Sequence, residues 1–268
     1  MGRAAMIGET FNNDLYRGKV ALVTGAATGI GAGIAFEFAK LGANVILHDL
    51  DLERLSNVAE KIARLGVTAT RIGGDLALPG VAEKLFDQAL AAHPRIDILV
   101  NNAGRSWGVE TNDISADRTN ELMELNVNSV LWLSKRFIMH AQARGGGGSI
   151  IQISSTAGIT GFQRRAVYCA SKFGVIGLTK VLALDHARDN IRINAILPHV
   201  VETDMFRTVA TPQDSANWKA AIPMGRFAQV EDVANLVMFL CSPAASYLTG
   251  GLYPVDGGAM AGPFGADA

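Results

Sequence analysis

Apolar residues recur along this chain in two alternating periods. Short runs rich in β-branched types occur at 19–24 (KVALVT), 44–48 (NVILH), 67–72, 96–100 (IDILV), 148–153 (GSIIQI), 191–196 (IRINAI) and 252–255 (LYPV). They predict strands. Between them lie stretches of helical period at 30–41, 52–65, 79–92, 115–143, 166–188 and 229–240. Unbroken apolar triplets such as Ala21-Leu22-Val23 and Ile98-Leu99-Val100 suit strands buried on both faces. Strand–helix alternation of this kind predicts an α/β chain: a doubly wound parallel sheet between two helix layers. No repeat of solenoid period and no linker-like stretch interrupts it, so residues 17–268 read as a single domain. Residues 1–16 read as a flexible extension or an interface arm. A weakly patterned insertion at about 203–223, with Met205, Phe206 and Trp218, reads as a lid over a substrate.

Composition narrows the class. Of 268 residues, 49% are hydrophobic and 18% charged, which excludes collagen, low-complexity disorder and coiled coil. Lysine and arginine number 24 against 25 acids, so charge makes no case for nucleic acid or an anionic membrane as partner. Only Cys169 and Cys241 are present, which suits a reducing, cytoplasmic setting, and they lack metal-ligand spacing, so no metal is expected. No apolar h-region opens the chain, and no run reads as long enough to span a bilayer.

Glycine is abundant, at 29 residues, and its placement carries chemistry. The first strand ends in Thr24-Gly25-Ala26-Ala27-Thr28-Gly29-Ile30-Gly31, and a helix pattern follows at once. Glycines there allow a tight turn and let backbone N–H groups approach a pyrophosphate at the positive end of the helix dipole. The second strand ends at Asp49, placed to accept hydrogen bonds from ribose hydroxyls and to repel a 2′-phosphate. No Lys or Arg lies in the glycine turn or directly after Asp49, so NAD is the expected cofactor rather than NADP. Asp49 is also compatible with capping the helix at 52–65, a task that Asp51 could take. Gly74-Asp75-Leu76 and Asn101-Asn102-Ala103-Gly104 follow the third and fourth strands, at the carboxyl edge where open parallel sheets bind ligands.

Tyr168 and Lys172 stand at i and i+4 in the 166–188 helix pattern and share a face. A phenol with pKa of about 10 is a poor base at neutral pH. A nearby ammonium and a positive nicotinamide ring would favour phenolate, which could exchange a proton with an alcohol. Ser155 follows the fifth strand, 13 residues before Tyr168, and its hydroxyl could hold the substrate oxygen. Asn126 lies within the 115–143 helix pattern, where Asn is unfavourable without a task such as holding a water beside Lys172.

Taken together, these motifs resemble the short-chain dehydrogenase/reductase family over residues 18 to about 258. The resemblance implies a single-domain Rossmann fold of the common homotetrameric kind, with Tyr253 through Gly258 as its last strand at a subunit interface. It implies Tyr168 as general acid/base, Lys172 on the nicotinamide ribose, Ser155 orienting the substrate and Asn126 anchoring a relay water. Cofactor contacts would come from Gly25, Thr28, Gly29, Ile30, Gly31, Asp49, Asp75, Leu76, Asn102, Ala103, Gly104, Val201 and Thr203. One position departs from the pattern: the family usually has Pro-Gly after the sixth strand, and here Pro198-His199 stands.

Arg105, Gln163, Arg164, Arg165, Arg207 and His199 fall around the expected substrate mouth. Arginine forks suit oxyanions, so a polar or anionic sugar or polyol is expected. The implied reaction is NAD-dependent oxidation of a secondary alcohol or sugar hydroxyl. An NADPH-dependent 3-oxoacyl reductase and a non-catalytic NAD-binding regulator are the alternatives.

Overall fold

A computed structural model describes residues 12–203 and 212–262. Among the described residues, seven strands form one parallel sheet: β1 (Val20–Thr24), β2 (Asn44–Asp49), β3 (Ala69–Gly73), β4 (Ile98–Asn101), β5 (Gly148–Ile153), β6 (Ile191–Pro198) and β7 (Leu252–Val255). Their spatial order is β3-β2-β1-β4-β5-β6-β7. The helices are α1 (Gly29–Lys40), α2 (Leu52–Ala63), α3 (Val81–Ala92), α4 (Ala116–Met123), α5 (Ser129–Ala143), α6 (Ala166–His186), α7 (Pro212–Ala220) and α8 (Val230–Cys241).

Strand periodicity divides the core in two. Ala21 and Val23, with Val45, Leu47 and Val100, face Ile34 and Phe38 of α1, Leu55 of α2 and Val233 and Val237 of α8. Val20 and Leu22, with Ile46, Leu99 and Ile150, face Phe86 of α3, Leu133 and Phe137 of α5 and Ala183 of α6. Every residue of β1 is buried, as expected of a strand covered on both sides. Strand order reverses at β1, between β2 and β4, and a crevice opens there beyond the carboxyl ends. Ties across the crevice floor join the two strand ends. Thr24 Oγ1 accepts from the Asn102 and Ala103 amides, and Asn102 Nδ2 donates to the Thr24 and Gly25 carbonyls.

The structure redraws several boundaries. Residues 1–11 of the expected extension lie outside the described residues, but its final part belongs to the packed fold. Leu15 packs against the core, and Tyr16 is buried beside Phe38, donating to the Met238 carbonyl at 2.5 Å. The 115–143 stretch is two helices joined by a π-turn at Glu124–Asn128. The helix α7 arises inside the weakly patterned insertion, of which residues 204–211 lie outside the described residues. The expectation that nothing is long enough to span a bilayer also needs correction. Residues Ala166–Asp189 form a helix long and apolar enough to do so by length and composition, although one side of it packs on β6.

Candidate active site

The crevice is a cleft of about 540 Å³. Gly25, Thr28, Gly29, Ile30, Asp49, Asp75, Leu76, Asn102, Ala103, Gly104, Val201 and Thr203 all line it, together with Ser155, Tyr168 and Lys172. Residues predicted for a cofactor and residues predicted for proton transfer therefore share one continuous wall.

At the β1 end the backbone itself makes the floor. Gly25 and Gly29 adopt φ of 64° and 54°, in the left-handed region that favours glycine. Gly31 is not part of the wall. A Cβ there would fall 2.1 Å from the Gly25 carbonyl, so it lets the helix close on the turn. The N-cap of α1 is Thr28, whose side chain makes no capping bond, so the first-turn amides keep their hydrogen-bonding capacity. Asp51, not Asp49, caps α2, accepting from the Arg54 amide at 3.0 Å. Asp49 instead accepts from the Ala27 amide at 2.9 Å, which ties the carboxylate to the glycine turn. Leu50 and Asp51 extend this wall, as does His48, and none was singled out by sequence for the cofactor. Burial pushes the His48 imidazole down to about 4, so it stays neutral. It read simply as a strand residue, and only the sheet register brings it to the cleft. A glycine floor, open helix amides and an acid at the ribose position fit a dinucleotide.

At the β5 end, Ser155 Oγ donates to the Pro198 carbonyl at 3.4 Å and accepts from the Ala157 amide. A hydrogen bond also links Ser155 with the Tyr168 phenol. Lys172 is buried and donates to the Ile153 carbonyl at 2.9 Å, with its Nζ 5.8 Å from the Tyr168 ring centre. Burial brings its pKa down to about 8. The expected acidic phenol is not a property of the protein by itself. Burial pushes the Tyr168 hydroxyl above its usual value, and the Ser155 hydrogen bond and the Arg165 charge offset this only in part.

Asn126 lies behind the wall. The π-turn rotates it inward, where Nδ2 donates to the Arg105 carbonyl at 2.9 Å and to Ser171 Oγ at 3.0 Å. Its Oδ1 accepts from the Arg105 amide. Ser171 Oγ donates in turn to the Tyr168 carbonyl, so Asn126 braces the helix that carries Tyr168 and Lys172. Gly104 is squeezed in front of this brace. A Cβ there would meet Asn126 Oδ1 at 3.2 Å and Lys172 Nζ at 3.5 Å.

The predicted substrate residues separate. Arg105 and His199 line the cleft, whereas Gln163, Arg164 and Arg165 do not. Arg105 pairs with Glu121 at 2.6 Å, Arg164 with Glu110 at 2.9 Å, and Arg165 donates to Ser106 Oγ at 3.0 Å. All three guanidinium groups are thus engaged within the chain, which weakens the case for an anion-binding cluster. Arg207 lies outside the described residues. Among the described residues, no group of three or more His, Cys, Asp or Glu side chains is placed to hold a metal ion.

A family model described as Enoyl-(Acyl carrier protein) reductase matches residues 25–260. The chain is 35% identical over 252 residues to the 7alpha-hydroxysteroid dehydrogenase of Escherichia coli K12, covering 93% of this chain and 98% of that one. It is 36% identical over 240 residues to the NAD-dependent glycerol dehydrogenase of Listeria innocua, covering 90% and 93%. A crystal structure of a candidate NAD(P)-dependent gluconate 5-dehydrogenase from Beutenbergia cavernae, with NADP bound at low occupancy, superimposes with a TM-score of 0.87. That structure is 36% identical, over 92% of this chain and 98% of the other.

Proposed function

The chain belongs to the short-chain dehydrogenase/reductase family and is an oxidoreductase acting on CH–OH groups, and from this premise we propose that it oxidises a neutral polyol or sugar hydroxyl with NAD. One observation carries the reading: Tyr168, Ser155 and buried Lys172 line the same cleft as Asp49 and the glycine turn. When bound, the nicotinamide accepts the hydride. The rest of the chemistry falls to side chains of the chain. Ser155 holds the carbinol oxygen, and Tyr168 takes its proton. Lys172, fixed by the Ile153 carbonyl, supplies positive charge behind the phenol and passes the proton on. Asn126 holds the helix that carries both.

The choice of NAD rests on Asp49 and Asp51, two acids in the cleft wall where a 2′-phosphate would sit. Polyols are favoured over anionic sugars because the arginines already have partners in the chain. The proposal includes a homotetramer, supported by the exposed apolar residues of α6. A panel of polyols, neutral and acidic sugars, simple secondary alcohols and 3-hydroxyacyl thioesters, followed at the NADH absorbance with NAD and then NADP, tests the whole reading. The expected result is highest kcat/KM on a polyol with NAD. Preference for NADP and a 3-hydroxyacyl thioester would replace it with a reductase of acyl chains. Cofactor binding without turnover of any compound would leave a non-catalytic regulator.

A further inference from the structure

His199 is the side chain by which this cleft departs from the usual glycine, and its surroundings hold it in one orientation. Its Nδ1 lies 3.0 Å from the Thr156 hydroxyl, and its ring packs on Phe162 with centres 5.9 Å apart. His199 is part of the cleft wall, whereas Thr156 and Phe162 are not. The bonded edge is therefore committed to residues outside the cleft wall, and Nε2, which has no partner among the described residues, is the ring nitrogen left for a ligand.

Hydrogen-bond accounting fixes the proton. Thr156 is 1% exposed, and its hydroxyl has no acceptor other than His199 Nδ1 among the described residues. A buried hydroxyl proton without an acceptor is costly, so Thr156 donates and Nδ1 accepts. The ring proton then resides on Nε2. Burial holds the imidazole below its usual pKa, against the opposing pull of the Asp256 carboxylate, so the ring is neutral at neutral pH. The cleft thus contains a neutral, oriented N–H donor. It is held by Thr156, the residue next to Ser155, and its own neighbour Pro198 accepts the Ser155 hydroxyl.

We infer that His199 is a specificity-determining residue whose Nε2–H donates to a second oxygen of the substrate, beside the carbinol held by Ser155. The substrate class is then a vicinal diol or α-hydroxy ketone rather than a simple secondary alcohol. This rests on the alcohol oxidation proposed above and goes further, because it names which polyols the cleft selects and by which atom. A neutral N–H donates to hydroxyl and carbonyl oxygens alike, so both redox partners of a diol are served.

Two measurements test the inference. In the first, kcat/KM is measured for 2,3-butanediol against 2-butanol and for cis-1,2-cyclohexanediol against cyclohexanol, in the wild type, His199→Gly and His199→Gln. The wild type should prefer each diol about tenfold, the worth of one neutral hydrogen bond. The diol-to-alcohol ratio should fall about tenfold in His199→Gly and recover in large part in His199→Gln, whose amide can donate. A merely structural role would lower both members of each pair together, and an unchanged ratio or a wild type without diol preference overturns the inference. In the second, imidazole nitrogen NMR of the NAD-loaded protein should show His199 as the Nε2–H tautomer, with a resonance displaced by 2,3-butanediol and not by 2-butanol. The Nδ1–H tautomer, or no displacement, overturns the inference. If no compound is turned over with either dinucleotide, the oxidation itself fails, and the NMR result alone decides for or against the His199 donor.

Discussion

At Tyr168 two opposing effects meet on one oxygen. Burial raises the phenol pKa, whereas the hydrogen bond with Ser155 and the charge of Arg165 lower it. In the cofactor-free protein burial wins, so the phenol stays protonated at neutral pH, and a bound nicotinamide would add to the charge of Lys172 in making it more acidic. Alcohol oxidation consumes the phenolate, so kcat/KM for oxidation should rise with pH, and kcat/KM for reduction should fall. A flat profile in both directions from about pH 6 to 10, with chemistry rate-limiting, would remove Tyr168 from the proton path. Tyr168→Phe should cost about 10²–10⁴ in kcat while leaving dinucleotide affinity within a few fold by calorimetry. Lys172 gives a prediction of its own. Its pKa falls from 10.5 in the unfolded chain to about 8 in the fold, so below pH 8 the protein carries the cost of a buried charge. Between the two values the unfolded state binds more protons, and stability contributed by this residue rises with pH. Denaturant unfolding of the wild type and Lys172→Met should show the wild type gaining about 1.4 kcal/mol per pH unit relative to the variant above pH 8, roughly 3 kcal/mol in all. A difference independent of pH would mean that the fold leaves the Lys172 pKa at its unfolded value.

Among the elements, the π-turn at Glu124–Asn128 illustrates what a sequence pattern conveys and what it hides. Apolar spacing over 115–143 is helical throughout, and the oddity of Asn126 was visible as a polar residue without a reason to be there. The widened turn itself was not legible, because one extra residue in a helix shifts the apolar stripe by less than the tolerance of the pattern. Asn126→Ala should leave the Arg105 backbone and Ser171 Oγ short of partners, at a cost of about 1–3 kcal/mol, and should lower kcat through displacement of α6. If thermal stability falls and kcat does not, the brace serves the fold alone. The alternation of strands and helices, the glycine turn, Asp49 and the Ser155–Tyr168–Lys172 set could all be read from the chain, since each depends on local spacing, whereas the spatial order of the strands was not. Tyr16 could not. Its partners, Phe38 and the Met238 carbonyl, come from α1 and α8, and only the folded sheet brings them to the chain start. Tyr16→Ala should therefore destabilise by about 3–5 kcal/mol, as truncation of a buried aromatic does. The guanidinium partners Glu110 and Glu121 were equally illegible, because ion pairs between loops follow no period.

For the whole molecule, α6 has two faces with different needs. One carries Ser171, Lys172, Val175, Thr179 and Ala183 into the core. The other shows Phe173, Val181 and Leu184 to solvent, with Leu184 80% exposed, and Gly177 lies between them with open space where a side chain would stand. Their spacing of four, four and three places them on one stripe, and Met139 of α5 is exposed as well. A stripe of this kind on a folded domain marks a surface that is covered. Its length and composition would also suit a bilayer, but a spanning helix would have to withdraw the buried Lys172 and Tyr168 from the cleft, abolishing the site. A second copy of the chain, as proposed above, would cover the stripe at no such cost, and the open space at Gly177 would let two helices approach closely. Light scattering should then report a mass of two or four times 28.3 kDa at micromolar concentration. Leu184→Glu should shift the population toward the monomer, since burial of each leucine is worth about 1.5–3 kcal/mol and a buried unpaired carboxylate costs more. Because Leu184 makes so little contact within its own chain, the variant should keep its circular dichroism, and any loss of activity should reverse at high protein concentration. A wild type that is monomeric at all concentrations, or that floats with neutral lipid vesicles, would refute self-association through this face.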